Sequence, residues 1–213
     1  MHSQARLYDR EMQPITAFIL AGGKSTRMGT DKALLLLGGR PLIAHALDLA
    51  RSAADEVKII GDPGKFSRYG DAIRDVYADR GPLGGIHAAL SSTRTDWNLI
   101  LGVDLPFVTK QFVNYLAETA QASGATVTVA SADGGLQPLC AIYRKQFGAI
   151  AERALAAGRN KIDALFAETS VRLISEEELA GNGVSSSIFR NLNTPEEWDS
   201  AKREFAAKIG DQL

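Results

Sequence analysis

The residues best suited to chemistry lie near the start of the chain, in a loop that follows a short apolar run. The run begins at Ile15, and Gly22, Gly23, Arg27 and Lys32 come after it. Adjacent glycines let the backbone approach a ligand without hindrance from a Cβ, and successive backbone N–H groups in such a loop suit an anion. The two cations add positive charge at the same place. The pattern predicts a polyphosphate site; the alternative is a tight glycine turn with two solvated cations.

The spacing of this loop fits neither of two common nucleotide-binding loops. A Walker A loop needs a second glycine five positions before its Gly-Lys pair, and the chain has Phe18 there, before Gly23 and Lys24. The G-x-G-x-x-G fingerprint of dinucleotide-binding folds is also absent. The loop is about a dozen residues long, and most strand–helix connections are shorter. Such length is typical of a functional loop.

A lone carboxylate follows the most hydrophobic predicted strand, residues 97–103. This carboxylate, Asp104, would lie at the carboxyl edge of a sheet, where ligands bind. Mg²⁺ takes oxygen ligands, usually one or two carboxylates together with phosphate oxygens and waters. Asp104 is therefore the predicted metal ligand. The alternative is an N-cap for the helix that begins near Thr109, although Pro106 and Phe107 stand between the two.

Two more glycines, Gly84 and Gly85, stand at the start of a predicted helix, residues 83–91. Inside a helix each costs about 1 kcal/mol relative to alanine, so an ordinary surface helix has no reason to keep both. Close approach of a flat ligand such as a purine ring would account for them.

A second informative stretch lies near the end of the chain. Asn191 and Asn193 alternate on a predicted extended segment, so both side chains point to one face. Thr194, Pro195 and Glu197 then fit the N-cap, N1 and N3 positions of a helix that starts with a capping box.

The elements that position these residues alternate between strand-like and helix-like segments up to about Thr128, which indicates βαβ units and a mostly parallel sheet. Strands are predicted from residue 15 and at residues 56–60, 72–76, 97–103, 125–130, 137–143 and 171–174. Helices are predicted at residues 41–50, 65–69, 83–91, 110–122, 145–157 and 162–166, from 176, and from 195 to about 209. The short turn at residues 132–135 predicts one antiparallel strand at an irregular edge of the sheet. We expect residues 1–14 to be a flexible extension and residues 15–213 to be one α/β domain.

Composition and charge argue against several classes of protein. Apolar residues make up 45% of the chain and charged residues 23%, as in soluble globular proteins. The net charge of −1 argues against a nucleic-acid binder, and the single cysteine, Cys140, rules out an intrachain disulfide or a thiolate cluster. No apolar run approaches the ~20 residues of a membrane span, and the N-terminus has no apolar core of a secretory signal. We therefore expect a cytoplasmic protein that binds no membrane.

Several of these motifs occur together in one known family. They are Leu20-Ala21-Gly22-Gly23, Ser25, Arg27-Met28-Gly29, Asp31-Lys32, Gly81-Pro82-Leu83-Gly84-Gly85, Asp104-x-Pro106 and Asn191-x-Asn193-Thr194-Pro195. In them the chain resembles the nucleotidyltransferases with a Rossmann-like fold, and among these the molybdenum cofactor guanylyltransferases of the MobA type. Related cytidylyltransferases usually have Ala-Ala-Gly in place of Ala21-Gly22-Gly23. The resemblance implies a single-domain nucleotidyltransferase fold with a mostly parallel sheet, one antiparallel strand and helices on both faces.

The resemblance also implies roles for individual residues. The loop would wrap a triphosphate, Lys32 would contact it, and Asp104 would hold Mg²⁺. The implied catalytic residues are Arg27, Lys32 and Asp104. The implied nucleotide-binding residues are Leu20, Ala21, Gly22, Gly23, Lys32, Gly61, Asp75, Gly84, Gly85 and Asp104. The implied pterin-binding residues are Gln137, Arg159, Asn191 and Asn193.

The chain departs from the pattern of this family at Gly61. Members have an asparagine near this point that contacts guanine, and Gly61 is the residue that matches it. The contact would be absent or made by the backbone, with Asp62 as a candidate substitute.

The implied activity is transfer of GMP from GTP to the phosphate of molybdenum-molybdopterin, with release of pyrophosphate. A molybdoenzyme or a cofactor-chaperone protein would be a further partner. Three alternatives stay open. They are a cytidylyltransferase for the same pterin, a nucleotidyltransferase for a sugar or polyol phosphate, and a non-catalytic nucleotide-binding protein that delivers cofactor to a molybdoenzyme. The paired glycines argue against the first, the glycine at position 61 argues for it, and Asp104 argues against the last.

Overall fold

The computed structural model describes residues 12–22, 31–77, 80–192 and 194–210. The strands are β1 Ile15–Leu20, β2 Leu36–Leu37, β3 Arg40–Pro41, β4 Glu56–Ile60, β5 Asp71–Ile73, β6 Trp97–Gly102, β7 Val127–Ala132, β8 Gly135–Arg144 and β9 Val171–Ile174. The α-helices are α1 Leu42–Ala50, α2 Pro63–Phe66, α3 Pro82–Ser92, α4 Lys110–Ser123, α5 Phe147–Ala156, α6 Glu176–Gly181 and α7 Pro195–Gly210. Short 3₁₀ helices cover Lys32–Leu34, Asp163–Glu168 and Ser186–Phe189.

Seven strands form the central sheet in the order β5-β4-β1-β6-β8-β7-β9, and β2 and β3 make a separate hairpin. Neighbouring strands are parallel except for β8, which is antiparallel to both β6 and β7. The prediction of a mostly parallel sheet with one antiparallel strand is confirmed.

The position of β8 differs from the prediction, because this strand lies inside the sheet and not at its edge. A tight turn at Asp133 and Gly134, both with positive φ, sends the chain back along β7. Residues 140–143 of β8 are buried, so β8 fills the space between β6 and β7. The edges of the sheet are β5 and β9.

Helices cover both faces of the sheet, as predicted. Side chains alternate between the faces along a strand, so that Ile19 and Leu101 join a core with α1 and α4. Phe18 and Ile100 join a second core with α3 and α5. The predicted apolar stripe of α1 is buried and consists of Leu42, Ile43, Ala46, Leu47 and Ala50.

Local hydrogen bonds explain where two helices begin. Asp62 accepts from the Gly64 N–H at 3.0 Å, so α2 begins at Pro63, earlier than predicted. Before α7, the Glu197 N–H donates to Thr194 Oγ1 at 3.2 Å, and the Thr194 N–H donates to Glu197 Oε2 at 2.9 Å. These two bonds confirm the predicted capping box. Among the described helices none has the length and apolar character to cross a bilayer.

Candidate active site

The carboxyl ends of four neighbouring parallel strands, β5, β4, β1 and β6, lie side by side. The side of the sheet that they form is called here its carboxyl edge. Ligands of open α/β sheets bind at this edge. The predicted site residues that follow these strand ends are Ala21, Gly22, Gly61, Asp75 and Asp104. The fold thus gathers residues from distant parts of the sequence.

Lys32 and Asp104 contact each other directly. Lys32 Nζ lies 3.1 Å from Asp104 Oδ2, and the two side chains are 18% and 26% exposed. Lys32 opens a 3₁₀ helix whose N-cap is Asp31, which accepts from the Ala33 N–H at 3.2 Å. The cation predicted for phosphate and the carboxylate predicted for metal therefore share one partly buried place.

A glycine makes room for the Asp104 carboxylate. A Cβ on Gly102 would lie 2.8 Å from Asp104 Oδ1 and 3.4 Å from Leu139 Cβ. Sequence reasoning missed Gly102. The available signal was its place two residues before Asp104, where side chains of an extended segment point to the same face.

The loop after β5 orients Asp75. Its Oδ1 accepts from the Tyr77 N–H at 2.8 Å. Partial burial raises the pKa of Asp75, while the hydrogen bond from Tyr77 and the nearby His87 act in the opposite direction. The Asp75 side chain is partly buried, and it follows β5 at the same end of the sheet as Asp104.

Packing within the protein accounts for Gly84 and Gly85. A Cβ on Gly84 would lie 2.8 Å from Asp75 Oδ2 and 2.9 Å from the Tyr77 carbonyl oxygen. A Cβ on Gly85 would lie 3.3 Å from Leu20 Cδ2. A purine is therefore not needed to explain the two glycines, and their contact with the nucleotide stays a prediction.

Substitution of Gly84 by alanine is expected to cost about 1–3 kcal/mol in overpacking, because a backbone oxygen must move. A gain of up to about 1 kcal/mol in helix propensity offsets part of this cost, so the free energy of unfolding should fall by up to about 2 kcal/mol. Gly181→Ala is the matched control, since a Cβ there meets nothing within 4 Å, and it should cause no loss. Urea unfolding of both variants checks the prediction, and equal stability of the two would contradict it.

The first two N–H groups after β1 are already used within the protein. Ala21 N and Gly22 N both donate to the Ile60 carbonyl oxygen, at 2.9 and 3.1 Å. They therefore do not form the expected cup for an anion. The rest of the predicted phosphate loop, residues 23–30 with Gly23 and Arg27, lies outside the described residues, so its contact with phosphate stays a prediction.

The departure at Gly61 has a steric reason. A Cβ at this position would lie 2.8 Å from Cδ2 of Phe66, whose side chain is buried. An asparagine would therefore displace the Phe66 ring. The Gly61 N–H donates to the Ile73 carbonyl oxygen at 2.9 Å, so a backbone contact to a base would use the Gly61 carbonyl oxygen.

Two cations that sequence reasoning missed lie close to the site. Lys65 Nζ is 2.9 Å from Asp31 Oδ2, and Arg74 Nη2 is 3.1 Å from Asp62 Oδ1. Because Asp62 also caps α2, its candidate role at the base would compete with two contacts inside the protein.

The predicted pterin residues occupy different surroundings. Gln137 lies in β8, three residues before Cys140, which pairs with Leu101 of β6, and Gln137 Nε2 donates to the Ala132 carbonyl oxygen at 3.3 Å. Arg159 forms an ion pair with Glu168 at 2.7 Å. Asn191 is exposed just before α7, and Asn193 lies outside the described residues. Their roles stay predictions.

The described carboxylates are better suited to Mg²⁺, which also takes water and phosphate oxygens as ligands, than to a metal whose ligands all come from the protein. No group of three His, Cys, Asp or Glu residues that could enclose a metal is found within residues 12–22, 31–77, 80–192 and 194–210. Mg²⁺ keeps waters and takes phosphate oxygens, so one carboxylate can suffice. Asp104, partly exposed beside a cation, is suited to that role.

Comparison with known proteins places this arrangement in a family. Residues 17–173 match the family model described as the MobA-like NTP transferase domain. A probable molybdenum cofactor guanylyltransferase of Carboxydothermus hydrogenoformans is 33% identical over 198 residues, which cover 92% of this chain and 100% of that protein. A molybdenum cofactor guanylyltransferase of Desulfosudis oleivorans is 33% identical over 202 residues, which cover 93% of this chain and 98% of that protein.

The fold agrees with the sequence comparison. The crystal structure of molybdopterin-guanine dinucleotide biosynthesis protein A from Archaeoglobus fulgidus superimposes with a TM-score of 0.79 at 25% identity. The match covers 90% of this chain and 99% of that chain. The resemblance that the motifs indicated is confirmed, and the chain belongs to the MobA-like NTP transferase family.

Proposed function

We propose that this nucleotidyltransferase moves GMP from GTP to the phosphate of molybdenum-molybdopterin, which yields a molybdopterin guanine dinucleotide cofactor and pyrophosphate. The observation that carries the proposal is the contact of Lys32 with Asp104 at the carboxyl edge of the sheet. The names of the relatives support guanine over cytosine as the base. The product would pass to a molybdoenzyme or a cofactor chaperone.

The reaction needs charge neutralisation and alignment more than proton transfer. An oxygen of the acceptor phosphate forms a bond to the α-phosphorus of GTP, and the bond from that phosphorus to the pyrophosphate oxygen breaks. The acceptor is already an anion, so it needs no general base. The protein contributes in-line positioning and positive charge where charge accumulates.

Each charged residue then has a distinct role. Lys32 holds Asp104 in place before substrate binds and stabilises the leaving pyrophosphate during transfer. Arg27 would add a second positive charge from the loop before Lys32. Asp104 would hold Mg²⁺, which neutralises charge on the phosphate oxygens when bound.

Calorimetric titration with GTP, CTP and ATP, each with and without Mg²⁺, tests the base and the metal together. We expect GTP to bind, Mg²⁺ to tighten its binding, and the other two nucleotides to bind more weakly. Preference for CTP would instead support a cytidylyltransferase and would contradict the proposal.

A further inference from the structure

A guanidinium stacked on an aromatic ring joins the segment before α7 to the loop that carries Asp104. The Arg190 guanidinium carbon lies 4.0 Å from the centre of the Phe107 ring, and Phe107 is the third residue after Asp104. Arg190 Nη2 also donates to Glu204 Oε2 of α7 at 2.5 Å. A cation over an aromatic face is attracted by the ring quadrupole. Arg190 therefore links α7 to the loop after β6.

The contacts continue from this stack toward the Lys32 side of the site. Phe107 packs against Phe205 with ring centres 5.9 Å apart, and Phe205 meets His45 edge-on at 5.4 Å. His45 Nε2 lies 2.9 Å from the Leu37 carbonyl oxygen. Leu37 belongs to β2, which follows the 3₁₀ helix of Lys32. Side chains from four parts of the chain thus form one continuous path.

Two buried anchors fix the segment on either side of Asn191. Phe189 is 4% exposed and meets Phe112 of α4 edge-on at 5.0 Å, and Leu192 is 2% exposed. Asn191 is exposed between them. The anchors hold the segment to the core, and the stack of Arg190 on Phe107 ties it to the Asp104 loop.

We propose that Arg190 is a positioning residue for the second substrate. Its stack on Phe107 holds the segment 189–192, which includes Asn191, in a fixed position relative to Asp104. This inference rests on the guanylyltransferase function proposed above and on the predicted contact of Asn191 with the pterin. Transfer requires the acceptor phosphate to lie in line with the α-phosphate, and small misplacements are costly. Loss of the stack should therefore impair use of the acceptor and leave GTP binding almost unchanged.

Arg144 provides a matched control in the same chain. Its guanidinium carbon lies 5.2 Å from the Trp97 ring, and Arg144 Nη2 is 2.7 Å from Asp96 Oδ2. It is thus a stacked and ion-paired arginine like Arg190. Because Trp97 begins β6, Arg144 lies at the opposite end of this strand from Asp104.

Steady-state kinetics of Arg190→Ala, Arg190→Lys, Phe107→Leu and Arg144→Ala test the proposal. For Arg190→Ala we expect a KM for molybdenum-molybdopterin raised on the order of 10-fold, with the KM for GTP within about twofold of the unaltered value. Arg190→Lys should recover part of the loss. Phe107→Leu keeps an apolar side chain but removes the aromatic face, so it should also raise the KM for molybdenum-molybdopterin. The loss in the double variant Arg190→Ala/Phe107→Leu should be smaller than the two single losses combined, because both changes remove the same stack. If Arg190→Ala behaves like Arg144→Ala, or raises both KM values equally, the proposal is wrong.

Amide hydrogen exchange tests the same coupling without any substrate. Exchange at Asn191 and Leu192 should become faster in Arg190→Ala and in Phe107→Leu, and should stay unchanged in Arg144→Ala. Unchanged exchange in the first two variants would overturn the proposal whatever their activity. If the unaltered protein fails to transfer GMP while exchange responds as expected, the proposed function fails and the coupling through Arg190 stands.

Discussion

Replacement of Asp104 by asparagine is expected to lower the rate of GMP transfer by about 10² to 10³-fold. Asparagine keeps the shape of the side chain and can still accept a hydrogen bond from Lys32, but it removes the negative charge that makes a carboxylate a stronger Mg²⁺ ligand than an amide oxygen. Because the substitution keeps the side-chain volume and the hydrogen bond from Lys32, the fold should be retained. Turnover measured over a series of Mg²⁺ concentrations checks the prediction.

Asp96→Asn is the control for this experiment. Asp96 also forms an ion pair, with Arg144 at 2.7 Å, but it precedes β6 and so lies at the amino end of that strand, away from Asp104. Its replacement should leave turnover unchanged. Turnover of Asp104→Asn close to that of the unaltered protein at every Mg²⁺ concentration would exclude Asp104 as the ligand.

Replacement of Lys32 by methionine is the second change with a large expected effect. It keeps most of the side chain and removes the positive charge that would stabilise the leaving pyrophosphate. We expect a higher KM for GTP and a lower kcat, and a combined loss of about 10² to 10³-fold in kcat/KM. Steady-state kinetics with GTP as the varied substrate measures both quantities.

Lys58→Met is the matched control for Lys32→Met. The Lys58 side chain is 13% exposed and lies 3.2 Å from Glu56 Oε1, so its burial and pairing are similar to those of Lys32. It lies within β4, away from the strand ends. Equal values of kcat/KM for Lys32→Met and Lys58→Met would remove Lys32 from the site.

Much of the fold was predictable because local patterns and global packing agree. The apolar stripe of α1 faces the core, and the Thr194–Glu197 capping box starts α7. The position of β8 was not predictable in the same way. Its short turn indicates an antiparallel partner, but insertion between β6 and β7 depends on which strand edges remain open after the other strands pair.

Some features of the candidate site were likewise predictable from the sequence, and others were not. Lys32 and Asp104 could be assigned to one place because strand ends of a parallel sheet share an edge, and they contact each other in the structure. Glycines were harder to interpret, since a sequence does not show which atoms a missing side chain leaves room for. Gly61 leaves room for Phe66, and Gly84 leaves room for Asp75.

The role of Arg190 had no signal in the sequence. Phe107, on which it stacks, lies 83 positions earlier in the chain. Neither residue belongs to the motifs that indicated the nucleotide site. Only the packing of α7 beside the loop after β6 brings the two together.

The most direct test of the central claim follows the α-phosphate of GTP. GTP labelled at this phosphate would be incubated with the protein, Mg²⁺ and molybdenum-molybdopterin, with labelled CTP in a parallel reaction. The account predicts that the label from GTP enters a pterin dinucleotide while unlabelled pyrophosphate is released, and that CTP gives little product. Label that stays in free nucleotide, or transfer from CTP in preference to GTP, would contradict it.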